Sequence, residues 1–410
     1  MRRAIVWFRK DLRLHDNETL VRAIQQNDEI VPVYCVDETE LINNEWDLAD
    51  IKNFRRQFLL ESLLSLDAVL REKGSGLIVV MGKPDAVLVE LALHYRVQKV
   101  YAQKEDIFQE IQIEEAVEKE LWKINVVFNT FNTSTLYHGQ DLPFATRDLP
   151  DTFNQFKRRI EQDSEVRAIF DEPELICSPA FEQSHSLGLQ DFGINCINKK
   201  TNYSFWEGGE KEGLHRLRTY LAETHSLPTY KKNRIGMVCD DSATKLSSWL
   251  SLGCISPRLI YHELKKRENR FSSNETGYWL LLGLIRRDYY RFMAKKYVNK
   301  WSEFMEGLNY LSGMKNEDHK RFSQWINGQT GVEKIDMYMT ELKFTGFLTN
   351  VGKKTVSKFL INVLEIDWRW GAIYFQYQLI DYDIYSNWGN WADLGQKENA
   401  SHSVRFLQSK

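Results

Sequence analysis

The first third of the chain alternates short apolar runs with longer amphipathic segments. The apolar runs are rich in branched residues and predict strands at Ala4–Arg9, Ile30–Val36, Leu77–Met81, Val97–Ala102 and Ile124–Phe128. The segments between them predict helices at Asn17–Gln26, Asn53–Lys73, Pro84–Tyr95 and Ile107–Trp122. Because strands and helices alternate, we expect an α/β N-terminal domain built on a doubly wound parallel sheet.

The rest of the chain divides into a connector and a helical part. Residues 131–205 contain half of the chain's eight prolines and a long polar run, with one helix predicted at Asp151–Glu165. Beyond residue 206, helical periodicity predicts helices at Lys211–Thr224, Pro257–Arg270, Gly277–Tyr297, His319–Asn327, Val332–Thr345, Lys353–Val363 and Trp370–Leu379. The polar stretch after Trp391 predicts weak structure. We therefore expect an α/β domain over residues 1–130, a connector over 131–205 and an all-α C-terminal domain over 206–410.

Composition narrows the class of protein. A formal net charge of -3 over 410 residues excludes a uniformly basic nucleic-acid coat but leaves room for a local basic rim. The five cysteines are scattered without a CxxC pair, so neither a disulfide framework nor a metal site is expected. The start does not resemble a signal peptide, and no uncharged run reaches the ~18 residues of a membrane span. These features favour a cytoplasmic protein with no membrane partner. No GxGxxG follows a predicted strand, which disfavours a nicotinamide dinucleotide site.

The most informative stretch runs from Asp367 to Trp391. Its tryptophans, Trp368 and Trp391, lie on either side of Asp381, Asp383 and Asn387. Indoles are good one-electron donors, an amide can hydrogen-bond a redox-active ring, and carboxylates can order ribose or ring N–H groups. This mixture suits a buried flavin that receives electrons through the protein. An aromatic core under a loop is the more common explanation for such residues alone.

Two other clusters have a chemical and a structural interpretation. Thr244, Lys245 and Ser247 precede an apolar helical run, where hydroxyls and backbone N–H groups can hold a pyrophosphate. Helix capping by Ser242 or Thr244 explains them more simply. The predicted helix Gly277–Tyr297 carries five cations that suit either a phosphate groove or a solvated face, namely Arg286, Arg287, Arg291, Lys295 and Lys296.

Long motifs in a fixed order resemble those of the photolyase/cryptochrome family, most closely its DASH branch. They are IVWFRKDLRLHDNETL (Ile5 to Leu20), LYHGQDLPF (Leu136 to Phe144), LPDTFNQFKRRIE (Leu149 to Glu161), TYKKNRIGMV (Thr229 to Val238), ATKLSSWLSLGCISPR (Ala243 to Arg258) and DWR…LIDYD…NWGNW (Asp367 to Trp391). The match covers nearly the whole chain, and this specificity outweighs the simpler structural interpretations.

The resemblance implies FAD held in the helical domain. Residues at positions that hold the diphosphate and ribityl parts are Tyr230, Thr244, Lys245, Leu246 and Ser247. Asp381 and Asp383 match residues beside the adenine, ribose and flavin ring, and Asn387 matches the residue that faces flavin N5. Trp391 and Trp368 match the proximal and middle members of the photoreduction chain. Lys353 stands where the family has an arginine that pairs with an aspartate near FAD.

The resemblance also implies an activity. Light-driven electron transfer from reduced flavin would split a cyclobutane pyrimidine dimer extruded from single-stranded DNA into the pocket of a monomeric protein. The DNA contacts would come from Arg234, Arg286, Arg287 and Asn350. The N-terminal domain would hold an antenna, 5,10-methenyltetrahydrofolate, next to Glu105. A solvated helix start explains Glu105 equally well.

Departures from the family pattern bear on repair more than on flavin binding. The motif ELLWRD reads GLIRRD here, so Gly283 and Arg286 replace the glutamate and tryptophan that contact the dimer. The outermost tryptophan of the electron chain is replaced by Met314 or Lys315. The alternative function is therefore a photoreceptor that signals through a protein partner, with repair weakened or lost. A third hypothesis is that the gap at Gly283 admits a different lesion or ligand.

Overall fold

A five-stranded parallel sheet forms the N-terminal part of the protein. The computed structural model describes residues 1–36, 49–181, 207–223, 244–268, 275–307 and 316–395. The strands are β1 (Arg3–Phe8), β2 (Glu29–Val36), β3 (Ile78–Met81), β4 (Lys99–Gln103) and β5 (Val127–Phe131). Their order is β3-β2-β1-β4-β5 with every neighbouring pair parallel. The predicted doubly wound sheet is confirmed, and its strand order reverses between β1 and β4.

Helices cover both faces of this sheet. They are α1 (Glu18–Gln26), α2 (Ala49–Glu72), α3 (Pro84–Tyr95) and α4 (Phe108–Lys123). The core between the sheet and α3 and α4 is a separate apolar cluster. The core on the other face, under α1 and α2, continues into the helical part of the protein. The two halves therefore share one large apolar core, which packs this face of the sheet, with α1 and α2, against the helical part of the protein.

Two strands begin later than predicted because left-handed residues end the preceding helices. Arg96 ends α3 with a φ of 53°, and the Val97 N–H returns to the carbonyl of Ala92. Asn125 has a φ of 58° beyond α4, and the N–H of Val126 returns to Leu121. The apolar residues just before β4 and β5 thus belong to helix ends.

The second half of the described chain is helical, as predicted. Its helices are α5 (Phe153–Asp163), α6 (Glu210–Glu223), α7 (Ser247–Ser251), α8 (Pro257–Glu268), α9 (Glu275–Lys296), α10 (Val298–Gly307), α11 (Asn316–Ile326), α12 (Glu333–Thr345), α13 (Asn350–Asn362), α14 (Trp368–Gln378) and α15 (Ile384–Gly395). The weak structure predicted after Trp391 is wrong as far as Gly395, because α15 continues to that residue. None of the helices described here is long and apolar enough to cross a membrane.

A buried polar loop after β1 ties the sheet to the helices. Asp16 pairs with Arg258 at the start of α8, with Oδ1 2.7 Å and Oδ2 2.9 Å from the guanidinium. Both side chains are buried, at 0% and 3% exposure. The Arg13 guanidinium also donates to the Gly253 carbonyl at 2.7 Å. A side chain at Gly253 would overlap the Lys10 backbone, and its φ of 67° also favours glycine.

Removal of Arg258 from the buried Asp16–Arg258 ion pair is expected to destabilise the fold strongly. Arg258→Met leaves the Asp16 carboxylate buried without its cation, so the free energy of unfolding should fall by about 3–5 kcal/mol. Urea unfolding measures the change. Lys266→Met is the matched control on the same helix, because Lys266 is 63% exposed and pairs with Glu263 at the surface. Its effect should stay within about 0.5 kcal/mol. Equal losses of unfolding free energy in the two variants would show that the buried Asp16–Arg258 pair stabilises the fold no more than a surface ion pair does.

Candidate functional site

The junction of α14 and α15 brings together two of the residues predicted around the flavin, Asp383 and Asn387. Asp383 caps α15, since its Oδ1 accepts the Ser386 N–H at 2.8 Å. Asn387 lies one turn into the helix, is 7% exposed, and donates from Nδ2 to the Ala372 carbonyl of α14 at 3.0 Å. A carbonyl oxygen can only accept, so this bond fixes the amide nitrogen toward α14. The amide oxygen of Asn387 faces the other way, and no described residue donates to it.

A lysine and an aspartate form the second part of the site. Lys353, in the first turns of α13, donates to both carboxylate oxygens of Asp381 at 2.8 and 2.7 Å. Asp381 is 7% exposed. A lysine can thus fill the charge role of the expected arginine, although it lacks the flat fork of a guanidinium. Asn350 is exposed as the first residue of α13, three residues before Lys353.

The two tryptophans interlock across α14 and α15. Trp391 is 2% exposed, and a Cβ at Gly371 of α14 would overlap its ring. Trp368 begins α14, and a Cβ at Gly395 of α15 would overlap its ring in turn. Gly371 is one helical turn from Trp368, and Gly395 is one turn from Trp391, so the indoles are neighbours in one helix interface. This arrangement agrees with adjacent members of an electron path.

The segment from Thr244 to Ser247 leads into the short helix α7. The Thr244 carbonyl accepts a bond from Arg216 of α6 at 3.2 Å, and Lys245 is buried with a left-handed φ of 57°. Leu246, 1% exposed, occupies the N-cap position without a side-chain bond, and Ser247 begins the helix. Thr244 therefore does not cap α7.

One orphaned hydroxyl lies next to this segment. The Oγ of Ser248 is fully buried, and no protein partner lies within hydrogen-bonding distance in the described part of the chain. A buried polar atom without a partner is rare in folded proteins. The Ser248 hydroxyl and the unbonded oxygen of Asn387 fit a polar cofactor that binds against the helical domain.

The cations of α9 form neither a phosphate groove nor a solvated face. Arg287 donates to the carbonyls of Ser134 and Leu250, the latter at 3.3 Å, and burial with the nearby Arg291 lowers its pKa to about 10. Lys295 pairs with Asp106 at 2.9 Å. A DNA contact by Arg287 stays a prediction that this geometry does not favour, because its guanidinium links α9 to α7 and to the segment after β5.

Gly283 and Arg286 lie on an open part of α9. A Cβ at Gly283 would meet no atom within 4 Å. The Arg286 guanidinium lies over the Phe153 ring, 4.2 Å from its centroid, and 3.9 Å from Asp393. The Arg286 side chain remains 38% exposed, so it is available to a ligand. That these two residues replace dimer-contacting residues stays a prediction from the sequence.

Glu105 occupies an unexpected position at the border of the two halves. It is 1% exposed and accepts bonds from Gln103 at 2.7 Å and from the Tyr385 hydroxyl at 3.0 Å. Arg291, buried in α9, lies 3.5 Å from Glu105 and 2.7 Å from Asp383. The solvated helix start proposed for Glu105 is therefore wrong. The sequence analysis named Arg291 only as a groove or surface cation and did not name Tyr385, because their partners lie far away in the chain.

A cavity of about 340 Å³ opens beside Glu105 between the two halves. Lys104, Asp106 and Lys295 line it together with side chains of α4, β5 and Val298 at the start of α10. Its volume is at the lower end of small-molecule pockets. Glu105 is not among the lining residues. An antenna contact by Glu105 stays a prediction.

Two predicted site residues cannot be placed. Tyr230 and Arg234 lie outside the described residues, and so does the position of the missing outer tryptophan at Met314 or Lys315.

Comparison with known proteins gives consistent matches. Residues 4–175 match the family model described as DNA photolyase, and residues 279–408 match the FAD binding domain of DNA photolyase. The chain is 39% identical over 405 residues to Cryptochrome DASH of Synechocystis sp., covering 98% of this chain and 83% of that protein. It is 38% identical over 413 residues to Cryptochrome DASH of Xenopus laevis, with 98% and 79% covered. The crystal structure of the Synechocystis cryptochrome superposes with a TM-score of 0.88 at 37% identity, covering 98% of this chain and 84% of that one.

Proposed function

Because the chain belongs to the photolyase/cryptochrome family, we propose that this blue-light flavoprotein repairs cyclobutane pyrimidine dimers in single-stranded DNA. FAD, when bound, supplies the light-driven electron transfer that splits the dimer. The observation that carries the proposal is the orientation of Asn387. Its amide nitrogen is held by Ala372, which leaves the amide oxygen free to accept a hydrogen bond from a protonated flavin N5. Such an acceptor favours the reduced cofactor, which is the form that repair needs.

The remaining residues bind and orient the cofactor in this proposal. Lys353 holds Asp381 and Arg291 holds Asp383, and these two carboxylates would lie beside the adenine, ribose and flavin ring. Burial acts to raise the pKa of Asp383, but Arg291, Arg287 and the bonds from Ser386 outweigh it and hold that pKa well below its usual range. Asp383 is therefore a permanent acceptor for a ring N–H. The Ser248 hydroxyl and the segment Thr244 to Ser247 would contact the diphosphate and ribityl parts.

The cavity of about 340 Å³ supports a second cofactor. We propose that an antenna such as 5,10-methenyltetrahydrofolate binds there, because the cavity lies between the halves and places a ligand next to the Glu105–Arg291 pair. Its wall carries more carboxylates than cations, so it suits the N–H groups of a folate ring better than the folate's own carboxylates; the acidic lining residues are Asp106, Glu114, Glu115 and Glu118, and the basic ones are Lys104 and Lys295.

Illumination with a defined lesion tests the function. The reduced protein is mixed with oligothymidine that contains cyclobutane dimers and exposed to blue light. We expect thymine absorbance to recover under light and to stay constant in the dark. The same dimer within a duplex should be repaired more slowly, because its base pairs must first be broken.

The alternative is a photoreceptor that signals through a protein partner. The open position at Gly283 and the guanidinium of Arg286 favour it, because they lack the carboxylate and the indole that would grip a dimer. Normal flavin spectra without any recovery of thymine absorbance would exclude repair and leave signalling as the function.

A further inference from the structure

One guanidinium lies between two buried carboxylates from opposite halves of the protein. Arg291 donates from one terminal nitrogen to Asp383 at 2.7 Å and places the other 3.5 Å from Glu105. The three side chains are 3%, 10% and 1% exposed. Glu105 follows β4 of the sheet, whereas Asp383 caps α15. The contact therefore bridges the sheet and the helical domain through a single cation.

Tyr385 fixes the geometry of this bridge. The Arg291 guanidinium lies 4.4 Å from the centroid of the Tyr385 ring. The Tyr385 hydroxyl donates to Glu105 at 3.0 Å and accepts the Asp106 N–H at 3.2 Å. Because the tyrosine contacts both the cation and its distant partner, the three charged groups have little freedom to move independently.

The charges in this bridge lie close together and are buried. Both carboxylates contact the Arg291 guanidinium where water cannot screen them, and the nearby Arg287 adds a second cation that acts on both. In such surroundings a change of charge on one carboxylate alters how strongly the cation holds the other. Burial acts to lower the pKa of Arg291, but Asp383 and Glu105 outweigh it and raise that pKa, so the residue stays a cation.

We propose that Arg291 is a positioning residue that couples Glu105, behind the wall of the interdomain cavity, to Asp383 at the flavin site. The inference rests on the flavin placement given under the proposed function. Asp383 caps the helix that carries Asn387 and Trp391, so the cation also orients the start of that helix. A change of charge at Glu105 then reaches the flavin through Arg291.

A double-mutant cycle on the flavin midpoint potential tests the coupling in the full-length holoprotein. Glu105→Gln removes a negative charge while keeping an acceptor for Tyr385, so we expect a shift to more positive potential. In an Arg291→Lys background that shift should be largely lost, because an ammonium group contacts one carboxylate and does not bridge two. Equal shifts in both backgrounds would mean that Glu105 acts without Arg291, and would overturn the proposal.

Lys296→Met is the matched control for this cycle. Lys296 is another cation of α9 and pairs with Asp151 at 2.7 Å, away from Asp383. A background of Lys296→Met should leave the effect of Glu105→Gln unchanged. If it removes the shift as Arg291→Lys does, the effect is general to α9 and the proposal fails.

Hydrogen exchange provides a readout that does not need the flavin. The Ser386 N–H bonds to the Asp383 carboxylate, and the Asn387 N–H bonds to its backbone carbonyl at 2.8 Å. We expect exchange at both amides to be roughly tenfold faster in Arg291→Lys, because a charge-assisted bond that orders Asp383 is lost. It should be slower in Glu105→Gln, which leaves the guanidinium to Asp383 alone, and unchanged in Lys296→Met.

The two experiments separate this inference from the proposed function. A chain that binds no flavin refutes the proposed function, whereas exchange at Ser386 still reports on the bridge. A chain that binds flavin but shows equal potentials and equal exchange in all variants retains its function and refutes the role of Arg291.

Discussion

Replacement of Trp391 by phenylalanine is expected to reduce flavin photoreduction to near the background rate. Trp391 follows Asn387 by four residues on α15, so the two side chains lie on one face of the helix. The indole is 2% exposed and lies against Gly371 of the helix that begins with Trp368. It therefore lies between the amide predicted to face the flavin and the next indole. Phenylalanine retains an apolar ring but is a much poorer one-electron donor.

The measurement is the rate at which oxidised flavin is bleached under blue light with an external reductant. Trp370→Phe is the matched control, because Trp370 is on the same helix as Trp368 but its ring lies against Phe322, 6.3 Å between centroids. We expect its rate to equal that of the parent. A Trp391→Phe protein that photoreduces as fast as the parent would mean that electrons travel elsewhere, through Tyr374, Trp370 or Trp388.

Trp388→Phe addresses how the path continues beyond Trp368. Trp388 is fully buried, and its ring centroid lies 6.1 Å from that of Trp368. Trp368 also stacks on Phe304 at 5.9 Å, but a phenylalanine is not an electron donor of comparable ease. Trp388 is thus an oxidisable neighbour of Trp368 in addition to Trp391. Slower flavin photoreduction in Trp388→Phe would show that Trp388 stabilises the electron hole left on Trp368.

The sequence predicted the order of the strands and helices better than the residues at which they begin and end. Apolar runs alternating with amphipathic segments were sufficient for the parallel sheet and for most helices. The starts of β4 and β5 were misplaced because Arg96 and Asn125 adopt left-handed conformations that no local pattern reveals. A helix start was expected directly after Thr244 and Lys245, and α7 begins there at Ser247, but five residues are too few to show a helical period.

The site was predictable where its residues are close in the chain or belong to a motif of the resemblance, such as Lys353 with Asp381. Asp383, Asn387 and Trp391 follow one another on α15, so a local motif contains them. Arg291 and Glu105 are 186 residues apart, and the cation-rich pattern around Arg291 looked like a surface. Their pairing depends on how α9 packs beside the carboxyl end of β4. Tertiary packing of this kind leaves no periodic signal in the sequence.

The double variant Gly283→Glu, Arg286→Trp is expected to bind a pyrimidine dimer more tightly than the parent. It introduces the glutamate and the tryptophan that the resemblance in sequence predicts at these two positions. The position at Gly283 is open, with no atom within 4 Å of an added Cβ, so a side chain can start there without a clash. Glycine within a helix costs about 1 kcal/mol relative to alanine, so the first change also favours α9. The fold should therefore tolerate both substitutions.

The expected gain in affinity for the dimer follows from the present position of the Arg286 side chain. Its guanidinium lies 4.2 Å from the Phe153 ring centroid and its side chain is 38% exposed, so an indole at this position would be accessible and would lie beside an aromatic ring. An indole there can stack on a splayed base, which contributes about 1–3 kcal/mol. That energy corresponds to a roughly 5- to 150-fold lower Kd for the dimer. The loss of the long Arg286–Asp393 contact, at 3.9 Å and partly exposed, should offset little of this gain.

Fluorescence anisotropy with paired oligothymidines checks this expectation. The ratio of the Kd values for undamaged and dimer-containing strands should rise in the double variant. Arg71→Trp is the control, because Arg71 is 56% exposed near the end of α2 and its replacement adds an indole to the surface of the α/β part of the protein. It should leave the ratio unchanged. If the double variant tightens binding to both strands equally, the indole stacks on any base, and Gly283 and Arg286 do not form the dimer pocket. If the ratio rises and light-driven repair rises with it, these two residues are what weakens repair in the parent chain.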